Sequence, residues 1–524
     1  MKSRILSGLL LVALLVSLVL TGCSSSTTSF TWRVDAVPVN LDPQLAVSSE
    51  ERIAVTNLYR GLTRVNQEGD PVLDAAESYT VSDDGLVYTF VLNPEVQYTK
   101  LKKHEKEYPL TAHDFVFGIQ RSLMPETESP YASLFLSIKG AKEYHAGTGN
   151  ASQLGIYAKD DSTLVIELAE PDPEFLKKLS SPGAMPCNEE FFLASGGSYG
   201  LSARYTLANG WFYLFNWNQN GLFLRRNASG NRITSLRLVI HEDLDPTTSA
   251  TSNSNVEKSS EMSATQLLDG EFANAAIGQP IESQSYYNMP FINQTWTLVF
   301  QPENTALSSQ EVRKALLLSA TTATLSLPST LSQAEGLIPP TITVDGQSYR
   351  EQAGSVLPSL SGDVRQLAQS GLASVGLSRF ERIQILVPEK TDAAQLASIL
   401  NQQWQKDLGA FSAYFSIKEV PMEELAAQLA SGDYQIALVP FEPSSDDGLA
   451  FLKQLPGCSS LGQSLTTTPS ASQLKQLEQT ALDSYTLYPL WYQEQALLVS
   501  SWAEGIVFNP FGPVLDLTWA TSKE

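Results

Sequence analysis

The stretch IQILVPEKTDAAQLASILNQQWQKDLGAFSAYFSIKEVPMEELAAQLASGDYQIALVP, residues 383–440, changes its hydrophobic period four times. IQILVP is an apolar run of strand length. TDAAQLASILNQQWQKDLG is an amphipathic helix stopped by Gly409. YFSIKEV is the next strand, MEELAAQLASG a helix ending on Gly432, and YQIALVP a further strand. Strand, helix, strand, helix, strand implies parallel strands joined by crossover helices, hence a doubly wound α/β lobe. Ligands of such lobes are expected near the carboxyl ends of the strands.

Upstream the texture differs. LVYTFVL (residues 86–92) and STLVIELAEP (162–171) alternate like half-buried strands, and TAHDFVFGIQRSL (111–123) is a helix that Thr111 can cap. DLDPTTSATSNSNVEKSSEMSATQ (243–266) reads as loop. After Phe291, TWTLVFQ is a strand and SSQEVRKALLLSA a capped helix. With 524 residues the chain exceeds one ordinary core, so two or three lobes are expected. Its 43% hydrophobic, 9% aromatic and 17% charged residues are those of a folded protein. A net charge of −22 argues against nucleic-acid binding, which depends on Lys and Arg at phosphates, and reads first as a solubilising surface.

The N-terminus has the form of an export signal. Lys2 and Arg4 precede an apolar run, residues 5–20, that falls short of the ~20 residues of a usual spanning helix. LTGC, residues 20–23, resembles the lipobox of bacterial lipoproteins, which makes Cys23 the acylated first residue of the mature chain. SSSTTS then reads as a flexible tether over residues 23–30. The other two cysteines, Cys187 and Cys458, are isolated, which excludes a zinc ribbon. An oxidising compartment would permit a disulfide between them; two free thiols are the favoured reading.

Catalytic motifs are nearly absent. The four histidines have no metal-binding spacing, and there is no phosphate-binding glycine loop. GGSYG (196–200) fits G-x-S-x-G with Ser198 as nucleophile, yet the residues before it look helical, so a glycine-rich loop is the better account. SDDG (82–85) is turn chemistry. SSDDG (444–448) follows the strand YQIALVP and stays open between turn and ligand contact. The aromatics of NGWFYLFNWNQN and YPLWYQEQALL are read mostly as core.

In order along nearly the whole mature chain, several segments resemble the extracellular solute-binding proteins of family 5, in the oligopeptide-binding branch of ABC importers. They are VNLDPQLAVSSEERIAVTNLYRGL, SDDGLVYTFVL, YPLTAHDFVFGIQRSL, ESPYAS, LGIYAKDDSTLVIELAEP, NGWFYLFNW, VRKALLLS, GLIPP, SGDYQIALVP and YPLWY. The resemblance implies a two-lobed periplasmic-binding-protein-like clamp of type II. Lobe I would hold residues 31–287, with an extra subdomain over about 75–190, and regain the chain at 485–524; lobe II would hold 290–480. It implies a lipid-anchored, exported monomer that binds oligopeptides or peptide-like solutes and delivers them to a membrane permease. The anchor would sit on the outer face of the cell membrane, or in the periplasm if there are two membranes. No enzyme activity, cofactor or metal is expected. The alternatives are a transport-inactive sensor or surface interaction protein and, behind it, a hydrolase using Ser198.

Carried over position by position, the resemblance places Tyr131 in the ligand cavity. Phe441 falls where the family has a tryptophan, and Ser444 where it has the aspartate that pairs with a peptide's amino group. Leu438 takes the place of an arginine and Met422 that of a second tryptophan; the family's HDG turn is missing. Glu442 could replace the lost carboxylate, as could Asp446 or Asp447 after a small loop shift. If peptides bind, their termini are held differently, because an unpaired buried charge is costly.

Overall fold

A computed structural model describes residues 28–99, 106–226, 230–240, 263–322, 328–409, 415–463, 465, 468–512 and 514–523. Cys23, the apolar run before it and most of the 243–266 loop lie outside the described residues.

Among the described residues, eleven strands share one mixed sheet. In chain order they are β1 (Ser29–Val34), β2 (Tyr213–Asn218), β3 (Gly221–Arg225), β4 (Ser235–Ile240), β5 (Ala275–Gly278) and β6 (Tyr286–Phe300). They continue as β7 (Leu331–Gln333), β8 (Ile383–Pro388), β9 (Phe415–Val420), β10 (Ile436–Phe441) and β11 (Leu487–Ser500). The spatial order is β9-β8-β10-β6-β11-β5-β1-β4-β3-β2, with β7 also on β11. The helices used below are α1 (Ala112–Leu123), α2 (Gln310–Thr322), α3 (Ala393–Leu408), α4 (Met422–Ser431), α5 (Gly448–Gln454) and α6 (Ala471–Leu482).

The strands expected from residues 383–440 are parallel: Ile383 faces Phe415 on one side of β8, and Ile385 faces Ile436 on the other. Side-chain alternation sorts them onto two faces. Ile383, Ile385 and Val387 share a core with Leu396, Leu400 and Trp404 of α3. Leu386 points the other way, into a core containing Leu425 of α4. Helices thus cover both faces, as in doubly wound folds. The Trp404 indole donates to the carbonyl of Leu316 (2.8 Å), tying α3 to α2. Gly432 ends α4 at φ 77°, a left-handed position where a Cβ is unfavourable. The sheet departs from the parallel expectation at β10, which meets β6 antiparallel, and β6 is antiparallel to β11 in turn.

A separate four-stranded antiparallel sheet is built from Ala76–Val81, Val87–Leu92, Thr163–Glu167 and Ile156–Ala158. Phe115 and Ile119 of α1 pack with Phe90, Leu164 and Ile166 in its core. The chain's end returns to the N-terminal half. Asn57 donates to the carbonyl of Leu515 and accepts from the amide of Leu517, and Arg64 bridges Asp74 (2.7 Å) and Asp516 (2.6 Å).

Cys187 and Cys458 are both buried free thiols, each in a different core. GGSYG is a turn after the helix Glu189–Ala194, without the strand that a nucleophile elbow needs. Gly200 is there for close approach: a Cβ would stand 2.3 Å from the amide nitrogen of Asp42. SDDG forms the expected turn, with Asp84 accepting from Ser82 and the amide of Leu86. Tyr488, Trp491 and Tyr492 are core residues, and so is Phe212. Trp211 and Phe215, by contrast, are exposed, under the guanidinium groups of Arg60 and Arg225: Trp211 lies in the bend before β2, and Phe215 is on β2, an edge strand of the main sheet.

A buried polar knot holds the GLIPP segment against α6. Glu478 is completely buried and accepts from Arg350 (2.6 Å), from Tyr349 Oη (2.7 Å) and from the amide of Ile338 (2.8 Å). Tyr492 Oη donates to the carbonyls of Gly336 and Ile338. Removing the carboxylate strands a buried guanidinium, so Glu478→Ala is expected to destabilise the C-terminal half by about 3–5 kcal/mol. Denaturant unfolding followed by tryptophan fluorescence checks this, with the midpoint falling well below that of the wild type.

Candidate ligand-binding site

β6 and β11 pass from one half of the molecule to the other, and a cavity of about 730 Å³ opens on them. Its wall is made where the parallel strands end. Pro440 and Glu442 close β10; Lys390, Thr391 and Asp392 form the turn between β8 and α3; Met422 begins α4. The floor is made by Gln294 and Trp296 of β6 and by Gln493 and Gln495 of β11. Gln279, one residue beyond β5, adds a contribution from the N-terminal half. The carboxyl ends of β8 and β10 therefore border the cavity, as the topology requires.

Local chemistry shapes the wall. Lys390 adopts a left-handed backbone (φ 59°). The hydroxyl of Thr391 donates to the carbonyl of Pro388 (2.9 Å) and accepts from the amide of Ala393 (3.2 Å). That leaves Asp392, at the N-cap of α3, making no side-chain cap. Trp296 is almost wholly buried and donates its indole N–H to Gln493 Oε1 (2.6 Å), which fixes that carboxamide. Glu442 keeps an exposed side chain and accepts from the Nε2 of Gln294. Desolvation by the surrounding wall raises the Glu442 pKa above the ordinary carboxyl value, and the Gln294 bond only partly offsets this. No cation among the described residues lies within ion-pair range of it.

Of the residues named from the sequence, the structure brings Met422 and Glu442 together on the cavity, Met422 being 47% exposed. The others stand elsewhere. Leu438 is 0% exposed, sealed in the core beneath α3, so in this conformation it has no surface for a ligand. It shares a face of β10 with Pro440 and Glu442, but only the last two lie beyond the helix cover. Phe441 points to the opposite face, against the second core. Ser444 is exposed and accepts from Gln454 (3.2 Å). Tyr131 donates its hydroxyl to the carbonyl of Ala46 (2.5 Å) and packs over Gly183, away from this cavity.

The open question of SSDDG resolves into internal partners. Asp446 accepts from the amide (2.6 Å) and hydroxyl (2.5 Å) of Thr343, and lies 3.6 Å from Lys177 in the short helix Phe175–Lys178. Asp447 caps α5, accepting from the amide of Ala450 (2.9 Å). Of the three candidate carboxylates only Glu442 reaches the cavity. The sequence reading missed the glutamines. Their signal was present as the polar run Gln493, Glu494 and Gln495 interrupting a mostly apolar strand.

The family model for bacterial extracellular solute-binding proteins, family 5 Middle, matches residues 70–463. The dipeptide-binding protein of Lactococcus lactis subsp. cremoris is 24% identical, with 100% of both chains covered. The oligopeptide-binding protein OppA of Bacillus subtilis is also 24% identical, over 94% of this chain and 92% of that one. Among solved structures, Listeria monocytogenes OppA bound to peptide superposes with a TM-score of 0.67 at 20% identity, covering 95% of this chain and 100% of that chain. These likenesses carry the two-lobed α/β fold, and with the family match over three quarters of the chain they close the matter of kinship: the protein belongs to the bacterial extracellular solute-binding proteins of family 5.

Proposed function

We propose that this chain is the binding component of an ABC importer for peptides. It would be held to the membrane through lipid on Cys23 and would close two lobes over a ligand before passing it to a permease. The observation that carries the reading is the cavity at the ends of β8 and β10, which holds a carboxylate, Glu442, that no cation among the described residues pairs with. The matched relatives, named as dipeptide- and oligopeptide-binding proteins, support peptides as cargo. Glu442 is the group we assign to a ligand's amino terminus, with Gln294 orienting it. Met422 lines the cavity beside it, while Tyr131, Phe441 and Ser444 would reach ligand only through a rearrangement of the lobes.

Calorimetric titration of the soluble chain from residue 24 with short peptides tests this. Glu442→Gln is expected to weaken peptides with a free amino terminus by about 10- to 100-fold, the range for a charged hydrogen bond, and to leave N-acetylated peptides unchanged. Equal affinity of the variant and the wild type for free-amine peptides removes Glu442 as anchor.

The pH dependence follows from the raised pKa. Ammonium binding needs the carboxylate ionised, so affinity falls as the pH drops, beginning above the ordinary glutamate value of about 4.3. Stability runs the other way. The folded state binds this proton more tightly than the unfolded chain, so protonation stabilises as the pH falls through the window between the two values. Glu442→Gln is therefore expected to melt higher than the wild type at neutral pH without ligand, and to lose this part of the acid-side gain.

Closure has its own contact. Lys177 and Asp446 belong to opposite halves, are about one-third and one-quarter exposed, and stand 3.6 Å apart. A pair that exposed contributes about 0–1 kcal/mol. Lys177→Met is expected to speed ligand release by a factor of about five at most, with the difference shrinking at high salt. Stopped-flow displacement at two ionic strengths reads both.

A further inference from the structure

We infer that the solvent face of the main sheet in the N-terminal half is a membrane-docking surface, whose arginines and phenylalanines take the headgroups of anionic phospholipid beside the anchor. The inference rests on the lipid-anchored reading of Cys23 and deepens it by saying how the anchored molecule lies.

Strands β1, β4, β3 and β2 lie side by side in that order. Trp32, Leu238, Leu222 and Leu224 point to one face and pack in a common core. Alternation therefore turns Arg33, Arg237, Phe223 and Arg225 to the other face. There Arg237 stands opposite Phe223, and Arg225 opposite Tyr213. The guanidinium of Arg225 lies 3.5 Å from the centre of the Phe215 ring, and that of Arg237 5.8 Å from the Phe223 ring. Phe215 and Arg237 are both exposed.

Two features say what covers this face. The first is charge. The four strands carry three arginines and no aspartate or glutamate, in a chain of 56 acidic and 34 basic residues. Neither Arg225 nor Arg237 has an ion pair or a hydrogen bond among the described residues. A guanidinium resting on a ring keeps its fork free for phosphate oxygens, and an exposed phenylalanine beside it suits the boundary of headgroup and acyl chain. The second is position. Ser29 pairs with Ser235, Ser235 with Arg225 and Arg225 with Tyr213, so the sheet end where the tether enters carries the Arg225–Phe215 pair. Six residues of chain lead from Cys23 to Ser29, a reach of at most about 20 Å. Two strand spacings, about 10 Å, then separate Ser29 from Arg225. A net charge of −22 repels anionic lipid, so a basic face free of carboxylates decides which side lies down. Contact here would hold the N-terminal half to the bilayer and leave the other half free to close.

The test couples the chain from residue 23 to a maleimide lipid through Cys23, since Cys187 and Cys458 are buried. The chain is displayed on vesicles of phosphatidylcholine, or of phosphatidylcholine and phosphatidylglycerol in equal parts. Hydroxyl-radical footprinting with mass spectrometry reads the oxidation of Phe215. Tyr157, as exposed as Phe215 but on the separate four-stranded sheet, is the reference. Phe215 is expected to be protected on the anionic vesicles only, and to lose that protection at high salt. Each arginine near such a surface is worth about five-fold in the contacting population, so R225E/R237E is expected to lower it by at least about 25-fold and to abolish the protection. If that variant melts early, R225Q/R237Q carries the same comparison. Equal oxidation of Phe215 on the two kinds of vesicle would overturn the inference, as would protection that survives in both variants. The chemical tether makes these results independent of acylation in the cell. A palmitate analogue fed to cells tests that step separately: it is expected to label the wild type and not Cys23→Ala, and an unlabelled wild type removes the anchored reading and the docking inference together.

Discussion

Two strands set the terms for everything else. β6 and β11 run antiparallel from Tyr286 opposite Ser500 to Val299 opposite Leu487, about 44 Å of ladder with two local shifts. Along that length they feed separate cores. Leu497 and Val499 pack in the N-terminal half, Trp296 and Leu298 under α3, and Val299 and Leu487 on the other face. Neither half can turn against the other without bending these two strands. The ladder slips between Ile292 and Gln294, which sets Asn293 outside the regular pairing, and again between Trp296 and Thr297. Bulges of this kind bend and twist a strand locally. Among the described residues, the buried side-chain oxygens Asn293 Oδ1 and Thr295 Oγ1 find no hydrogen-bond partner beside these shifts.

That constraint explains what could and could not be seen in the residues. The run from 383 to 440 was legible because each element buries one face and repeats its period; Gly409 and Gly432 mark the stops unambiguously. The long strand β6 was legible only from Thr295 onward. Its first half, YYNMPFIN, mixes Asn and Pro with aromatics because it lies half-buried along the crossing between the two halves. Aromatic clustering misled at Phe215, since nothing local distinguishes an edge strand from a central one.

The site was legible in place but not in detail, for a related reason. A family resemblance transfers positions along a strand, whereas ligand access depends on which face a side chain takes and on where the covering helix ends. Leu438 and Glu442 share a face of β10 and differ entirely in access, and Phe441 between them points the other way. The acidic loop shows the same limit. Asp446 and Asp447 look equivalent to Glu442 in sequence, but one holds Thr343 and Lys177 while the other caps a helix. Turn and cap chemistry claims short acidic side chains first, because their oxygens reach their own backbone. A glutamate is one methylene longer and caps less readily, and here it is the one that reaches the cavity.

Elsewhere in the molecule buried charge is carefully answered. Arg121 is held by Asp42 and Gln44, Arg64 by two aspartates, and Glu478 by three donors. Around the cavity that care lapses. Lys390 sits at a positive φ, Asp392 occupies an N-cap without capping it, and the exposed Glu442 has no cation within ion-pair range among the described residues. Each departure costs stability, and each could be relieved by a single substitution. Sequences depart from local consistency chiefly where function requires it. Three such departures around one space, in a chain that answers its buried charges elsewhere, set this cavity apart as the place where local consistency is relaxed.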